Sequence, residues 1–364
     1  MADTVNATGL RVQQWDKDFF TEYVQANRFA KYMGTNENSI IQLKEDLSKK
    51  KGDRITYALA NRLTGAGITG TNTLEGNEES LDTRSHRLTV DKIRNAVRIG
   101  EMDEQRSAID LRNAAKATLK TWMMEKTRDG ILDALASINT GSAPVLYADA
   151  SEGQKDTWLV DNADRVLFGN AVGVGGYTDH SADLTAITPS MELSTDIISI
   201  AKRRALTASP KIHPITTNGD QQNYVMFVHP LAMRDLKEDS VFLQANREAR
   251  ARNTSNPLFS DDSYIWDGVI IREVADIQVL ENVGSSGTTE VVPCYLVGAQ
   301  ALGIAWAKRS TSVTKSFDYG DKEGCAIEEI RGIEKLHFGS GSGDTSDVKQ
   351  HGVHTCYVSA VADA

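Results

Sequence analysis

Apolar and polar positions alternate most clearly in residues 52–63, GDRITYALANRL, where Ile55, Tyr57 and Leu59 are separated by polar or small neighbours. That period of two predicts a strand with one covered face. A glycine-rich stretch follows, GAGITGTNTLEGNEES, with Gly65, Gly67, Gly70 and Gly76, and then a second alternating run from Arg87 to Ile93. The pair predicts a long two-stranded hairpin with a flexible, charged tip. Two strands alone are marginally stable, and these lack the apolar density to cover themselves, so the hairpin is expected to lie on a partner.

The pattern changes to helical from Asp103 to Ile138. Asp103 is the expected N-cap and Glu104 suits the positive end of the helix dipole. Leu111, Ala115, Leu119 and Trp122 form one stripe, which Leu132, Leu135 and Ile138 resume. A continuous helix of that length would span about 54 Å, with Gly130 expected to break or bend it. Residues 1–50 instead scatter aromatics among polar stretches. Phe19, Phe20 and Tyr23, followed by Ala26, Ala30 and Met33, predict a short amphipathic helix whose apolar face needs something else to lie on, and Trp15 stands among the isolated aromatics before it.

Further on, residues 141–183 are rich in Gly, Asp and Ser and are expected to be loops. Thr188-Pro189 predicts a helix start, with Ile197, Ile198, Ala201, Ala205 and Leu206 as its apolar face. Tyr224 to Val228 reads as a buried strand stopped by Pro230, then a helix through Leu231, Leu236, Phe242 and Ala249. Strand candidates follow at 269–271, 277–280, 291–297, 305–306, 313–317, 325–338 and 353–361. The sum is an α+β chain of discontinuous organisation rather than a regular βαβ repeat.

Composition narrows the class without naming it. The chain has 364 residues, 40% apolar and 25% charged, enough for one or two cores with appendages. No run approaches the ~18 apolar residues of a membrane helix, and the start lacks a signal-peptide pattern, so a soluble protein made in the cytoplasm is expected. Cys294, Cys325 and Cys356 are an odd number without a CxxC pair, which predicts buried or half-buried thiols. The net charge of -10 argues against a protein that grips phosphate backbones. Within the predicted hairpin the sign reverses abruptly: Glu75, Glu78, Glu79 and Asp82 carry no base among them, and Arg84, Arg87, Lys92, Arg94 and Arg98 follow. Either this is a solvated surface of mixed sign, or it is a self-complementary contact between copies.

Catalytic signatures are absent from the sequence: no GxSxG, HExxH, Walker, EF-hand or dinucleotide motif occurs. His351 and His354 are spaced for a metal on a helix, but HGVHTCYVSAV alternates like a strand and would send them to opposite faces. His229 before Pro230 is an acid-base candidate without a nearby nucleophile, and reads more simply as a buried, hydrogen-bonded histidine. Asp261-Asp262 and Asp318/Asp321 sit among turn residues. No catalytic, cofactor or metal site is expected.

The order of pieces then becomes informative. The aromatic arm, GDRITYALANRLTGAGITG, LEGNEESL, the basic return strand, IGEMDEQRSAIDLRNAAKATLKTW, FVHPLAMRDLKED and WDGVIIREV resemble the major capsid proteins of N4-like tailed phages, which have the capsid fold named after phage HK97. The resemblance implies an N-terminal arm (1–50), an extended hairpin loop (51–102), a spine helix with the first part of a peripheral domain (103–185), an axial domain (186–312) and a return of the peripheral domain (313–364). It implies a structural protein of the virion, assembling with itself as hexamers and pentamers into an icosahedral shell. The shell encloses double-stranded DNA without sequence-specific binding, in company with a portal and with decoration or scaffolding proteins. Subunit contacts are expected at Glu75, Glu78, Glu79, Asp82, Arg84, Arg87 and Arg94 of the hairpin, and at Trp15, Phe19, Phe20 and Tyr23 of the arm. Some relatives form Lys-Asn crosslinks, and no motif here assigns such a pair. The alternatives are an encapsulin-like compartment of the same fold and a soluble α+β hydrolase using His229 and an Asp.

Overall fold

The computed structural model describes residues 29–45, 52–60, 63, 65, 67–70, 73–79, 81, 83–107, 111–141, 143–170, 176–217, 221–250, 263–338 and 348–360. In chain order, β1 (Met33–Gly34), β2 (Ile41–Lys44), β3 (Arg54–Ala60), β4 (Thr83–Thr89) and β5 (Asp91–Gly100) lead into α1 (Glu101–Arg106) and α2 (Leu111–Ala136). Next come α3 (Glu152–Asp161), β6 (Val166–Phe168), α4 (His180–Thr185), α5 (Thr195–Thr207), β7 (Ile215–Thr217) and β8 (Gln221–Val228). The remainder is α6 (Pro230–Glu238), α7 (Ser240–Arg250), β9 (Ser263–Trp266), β10 (Val269–Glu273), β11 (Val291–Val297), β12 (Leu302–Phe317), β13 (Lys322–Lys335) and β14 (Val353–Ser359). Two compact units result, one of Met1–Ile55, Leu88–Ala134 and Leu302–Glu334, the other of Thr56–Arg87, Leu135–Ala301 and Lys335–Ala364.

The first unit is a five-stranded sheet in the order β1-β2-β12-β13-β5 with α2. β12 runs parallel to β2, and β13 runs antiparallel to β5 from Lys322 opposite Gly100 to Arg331 opposite Asp91. The predicted strands at 305–306 and 313–317 are one strand, β12, whose polar centre KRSTS hides its continuity. Part of that centre is buried against charge. Ser310 donates to Glu329 at 2.7 Å, Arg331 pairs with Glu329 at 2.6 Å, and Arg331 also donates to Thr127 of α2. Arg331 and Glu329 are both buried, and burial raises the Glu329 pKa against the lowering effect of Arg331.

The helix departs from its prediction in three ways. Residues 103–138 are not one helix: α1 starts at Glu101 with Gly100 as N-cap, Asp103 lies in its first turn, and Ser107 is extended with φ −79° and ψ 138°. The stripe is buried at Ala115, Leu119, Met123 and Ile131 and, as expected, at Leu132 and Leu135, whereas Leu111 and Trp122 are only half-buried. Gly130 neither breaks nor ends α2. A Cβ there would lie 3.3 Å from Ile333 Cδ1, so the missing side chain lets the helix settle closely on β13.

The second unit is built on a seven-stranded sheet, β6-β14-β11-β8-β10-β9, with β7 pairing β8. β14 lies parallel to β6 and antiparallel to β11. Both faces are covered, as continuous apolar strands require. Ile197, Ile198, Ala201 and Ala205 of α5, with Ala232, Met233 and Leu236 of α6 and Phe242 of α7, pack on Tyr224, Met226, Val228, Ile271, Leu296 and Val358. A separate cluster joins Trp158, Leu159, Phe168, Tyr177, Leu184 and Tyr357, and the Phe168 and Tyr357 rings stack at 5.2 Å.

Residues 141–183 are more than loops, since they contain α3, β6 and α4. The missed signal is S-E-G-Q at 151–154, a capping box in which the Gln154 side chain accepts from the Ser151 N–H at 3.0 Å. Helix α5 starts at Thr195 behind the Ser194 cap, and Thr188-Pro189 forms a turn instead. The predicted helix from Leu231 onward is divided at Asp239. Its carboxylate accepts from the Val241 N–H at 2.9 Å and from the Thr195 N–H and hydroxyl at 2.9 and 2.8 Å, which holds the start of α7 against the start of α5.

Candidate assembly surfaces

Residues considered for chemistry occupy structural positions. His229 Nδ1 accepts from the Leu231 N–H at 3.2 Å and so caps α6, with Pro230 as first helical residue; partial burial lowers its pKa. His351 and His354 are buried, and desolvation holds their pKa values near 4 and 3. The His354 Nδ1 lies 3.4 Å from Cys356 Sγ, and the His351 ring meets the Phe338 ring edge-on at 5.2 Å. Asp321 N–H donates to Asp318 O at 3.0 Å across a tight turn, and Asp261-Asp262 lie outside the described residues. All three thiols are buried, and burial pushes Cys356 up to about 12. Among the described residues no three His, Cys, Asp or Glu side chains are grouped to hold a metal ion.

The hairpin is present as β3 paired with β4, and period two decides what it buries. Ile55 and Tyr57 of β3 are inward, as are Arg84, His86 and Leu88 of β4. The His86 ring lies 5.8 Å from that of His337 and 6.3 Å from that of Phe338, within the second unit. Arg84, expected at a contact with a neighbouring copy, is 1% exposed and belongs to its own chain's interior. The strand bases therefore rest on this chain, and the described residues between 63 and 81 are uncovered apart from half-buried Ile68. Glu75, Glu78 and Glu79 are exposed there, as are Arg87 and Arg94 on the return strands, while Asp82, Trp15, Phe19, Phe20 and Tyr23 lie outside the described residues.

Two features of the tip escaped the sequence reading. Glu79 accepts from the Gly65 N–H at 2.7 Å, which ties the glycine-rich backbone across the loop, and Glu78 accepts from the Gly76 N–H at 2.8 Å within a local turn. Leu63, Leu74 and Leu81 are 54%, 62% and 63% exposed, giving the tip an apolar component that their wide spacing conceals. On the five-stranded sheet, Lys92 meets Glu328 at 2.6 Å, and Lys308 pairs with the same carboxylate. Hydrogen bonds from the two ammonium groups draw the Glu328 pKa down to about 2.

Comparison with known proteins gives these surfaces a context. Residues 4–362 match the family model described as phage capsid protein. The chain is 30% identical over 373 aligned positions to the major capsid protein of Pseudomonas phage KPP25, covering 95% of this chain and 94% of that one. Among solved structures it resembles the capsid asymmetric unit of cyanophage Pam1, with TM-score 0.82, 33% identity and full coverage of both chains. It also resembles the capsid of Ralstonia phage GP4, with TM-score 0.74, 21% identity, and coverage of 93% and 92%. These matches overturn the hydrolase alternative, whose acid-base candidate, His229, is occupied as a helix cap.

Proposed function

The chain belongs to the phage capsid protein family and forms the shell of a phage virion with the HK97-like fold, and on that premise we propose how its copies engage one another. They close as hexamers and pentamers into an icosahedral shell around double-stranded DNA, with a portal and with decoration or scaffolding proteins as further partners. Residues 63–81 of each copy lie across the next copy, seating Leu63, Leu74 and Leu81 on its surface, with Glu75 and Glu78 meeting basic residues such as Arg87 and Arg94. The observation that carries this is the division of the hairpin: a base whose Tyr57 and Leu88 are buried within the chain, and a tip whose three leucines are more than half exposed. Exposed leucines on a carboxylate-tied loop are a docking element rather than part of a core. The net charge of -10 supports a container that encloses DNA without gripping it.

Deleting residues 65–78 tests the proposal. Subunit melting should stay within a few degrees of wild type, while electron microscopy finds no closed shells. A cooperative loss of subunit folding would return the tip to the chain's own core, and normal shells would remove it from the contact.

A further inference from the structure

The turn joining β12 to β13 carries two aromatics in opposite situations. Phe317 is held from several sides. Its ring covers Gly324 so closely that a Cβ there would fall 2.8 Å from Phe317 Cε2, and the Lys315 ammonium and Arg98 guanidinium lie 5.1 and 5.9 Å from the ring centre. Pairing with β5 extends to Lys322 opposite Gly100, and the Glu101 N–H donates to Asp321 O at 2.8 Å, so the turn projects from a braced base. Two residues on, Tyr319 is completely exposed.

Its backbone sharpens the contrast. Asp318 and Tyr319 have φ 52° and 53°, followed by Gly320 at 103°. Two consecutive left-handed residues suit a tight hairpin turn, but the residues that adopt them at low cost are Asn, Asp and Gly. A bulky aromatic there is an outlier that the fold does not require, since glycine would make the same turn with less strain. An outlier without an internal reason points to selection for what its side chain does outside the chain. A tyrosine with few rotatable bonds, on a rigid base, loses little entropy on docking and is a common anchor of interfaces.

We propose that Tyr319 is an intersubunit anchor, inserted into an apolar notch on a second copy of this chain. The inference rests on the shell reading, which supplies the second copy, and adds to it a contact separate from the hairpin tip. A narrow convex turn is not self-complementary, so it engages a different patch on the next copy, the kind of contact that closes rings. Asp318 and Asp321, on either side of Tyr319 in the sequence, both pair with Lys322 at 3.5 and 3.8 Å, so the charge beside the tyrosine is neutralised within the turn.

Two measurements test it. With a photo-crosslinking benzoylphenylalanine in place of Tyr319, irradiated shells should yield covalent dimers of this chain, and dispersed subunits should not. Tyr319→Gly should leave subunit melting unchanged or raised while lifting the assembly threshold at least about tenfold, the loss expected of an anchor residue; Tyr319→Phe should fall between. Crosslinks to another protein or to DNA, or to nothing, would overturn the anchor. So would a Tyr319→Gly chain that assembles at the wild-type threshold, and its normal shells would leave the shell reading standing. A wild-type chain that forms no shell in any condition would overturn both.

Discussion

Every residue of β11 and β14 in the seven-stranded sheet is buried, whereas no residue of β5, at the edge of the five-stranded sheet, is. The first sheet is covered on both faces by this chain's own helices and aromatic cluster. The second leaves Ile93, Val97 and Ile99 half-covered on one face of β5 and Arg94 and Arg98 exposed on the other. The contrast separates what holds a subunit together from what a subunit leaves for its neighbours. In the covered sheet, apolar area supplies the stability. In the open sheet, interior positions are partly given to Glu329, Arg331 and Ser310, and the fit of those polar groups matters more than area.

The sharpest way to break this comparison is to remove one charge. Arg331→Met leaves Glu329 buried without its ion pair and should cost about 3–5 kcal/mol in denaturant unfolding, with most of the loss recovered when Glu329→Leu is added. Little loss from the single change would mean that the open sheet does not depend on its polar core. Next in size, Leu296→Ala in β11 should cost ~2–5 kcal/mol, and Val97→Ala in half-covered β5 well under half as much. Equal losses would erase the difference in burial on which the comparison stands.

Acid offers a third test, because all seven histidines fall in the second unit. His180 and His351 have folded pKa values near 4 and His354 near 3, all depressed by burial, against an unfolded value near 6.5. The unfolded state binds more protons between those values, so their neutral burial contributes stability above pH ~6.5 that is lost as pH falls toward 4. Asp235, raised to about 6 by burial and by Glu192 and Glu238, acts in the opposite sense but is one group against these three and the likewise lowered His229 and His337. Glu328 of the open sheet, near 2, matters only below the ordinary carboxylate range. Hydrogen exchange corrected for intrinsic rates should therefore show β14 losing protection between pH 7 and 5 before β13 does. Simultaneous loss would contradict the separation. The smallest effect is expected at the tip: Glu75→Lys with Glu78→Lys should change subunit stability by no more than about 0.5 kcal/mol yet raise the assembly threshold seen by light scattering. Reversal at Arg87 and Arg94 should restore part of it, and an unchanged threshold would make these charges a solvated surface.

Legibility in the sequence follows the same divide. The covered strands at 224–228, 291–297 and 353–359 stand out because continuous burial demands continuous apolar residues. β12 reads as separate pieces because its buried Ser310 and Ser312 look like surface residues until Glu329 is seen to accept from the Ser310 hydroxyl. Arg84 reads as a surface charge, although its parity with His86 and Leu88 assigns it to the inward face. The interface residues are legible only in part: the acidic run shows plainly, but isolated leucines carry no periodicity, and nothing in F-D-Y-G marks Tyr319 until its backbone and exposure are known.

The position of β14 has a consequence for synthesis. It lies between β6 and β11, and β6 pairs with no other strand among the described residues, so the strand made at residues 166–168 waits for one that begins at 353. At ~5–20 residues per second, that wait is on the order of 10–40 s. Until then a ribosome-bound chain carries β6 without its sheet partner. A chain terminated before residue 353 leaves that edge unfilled for good.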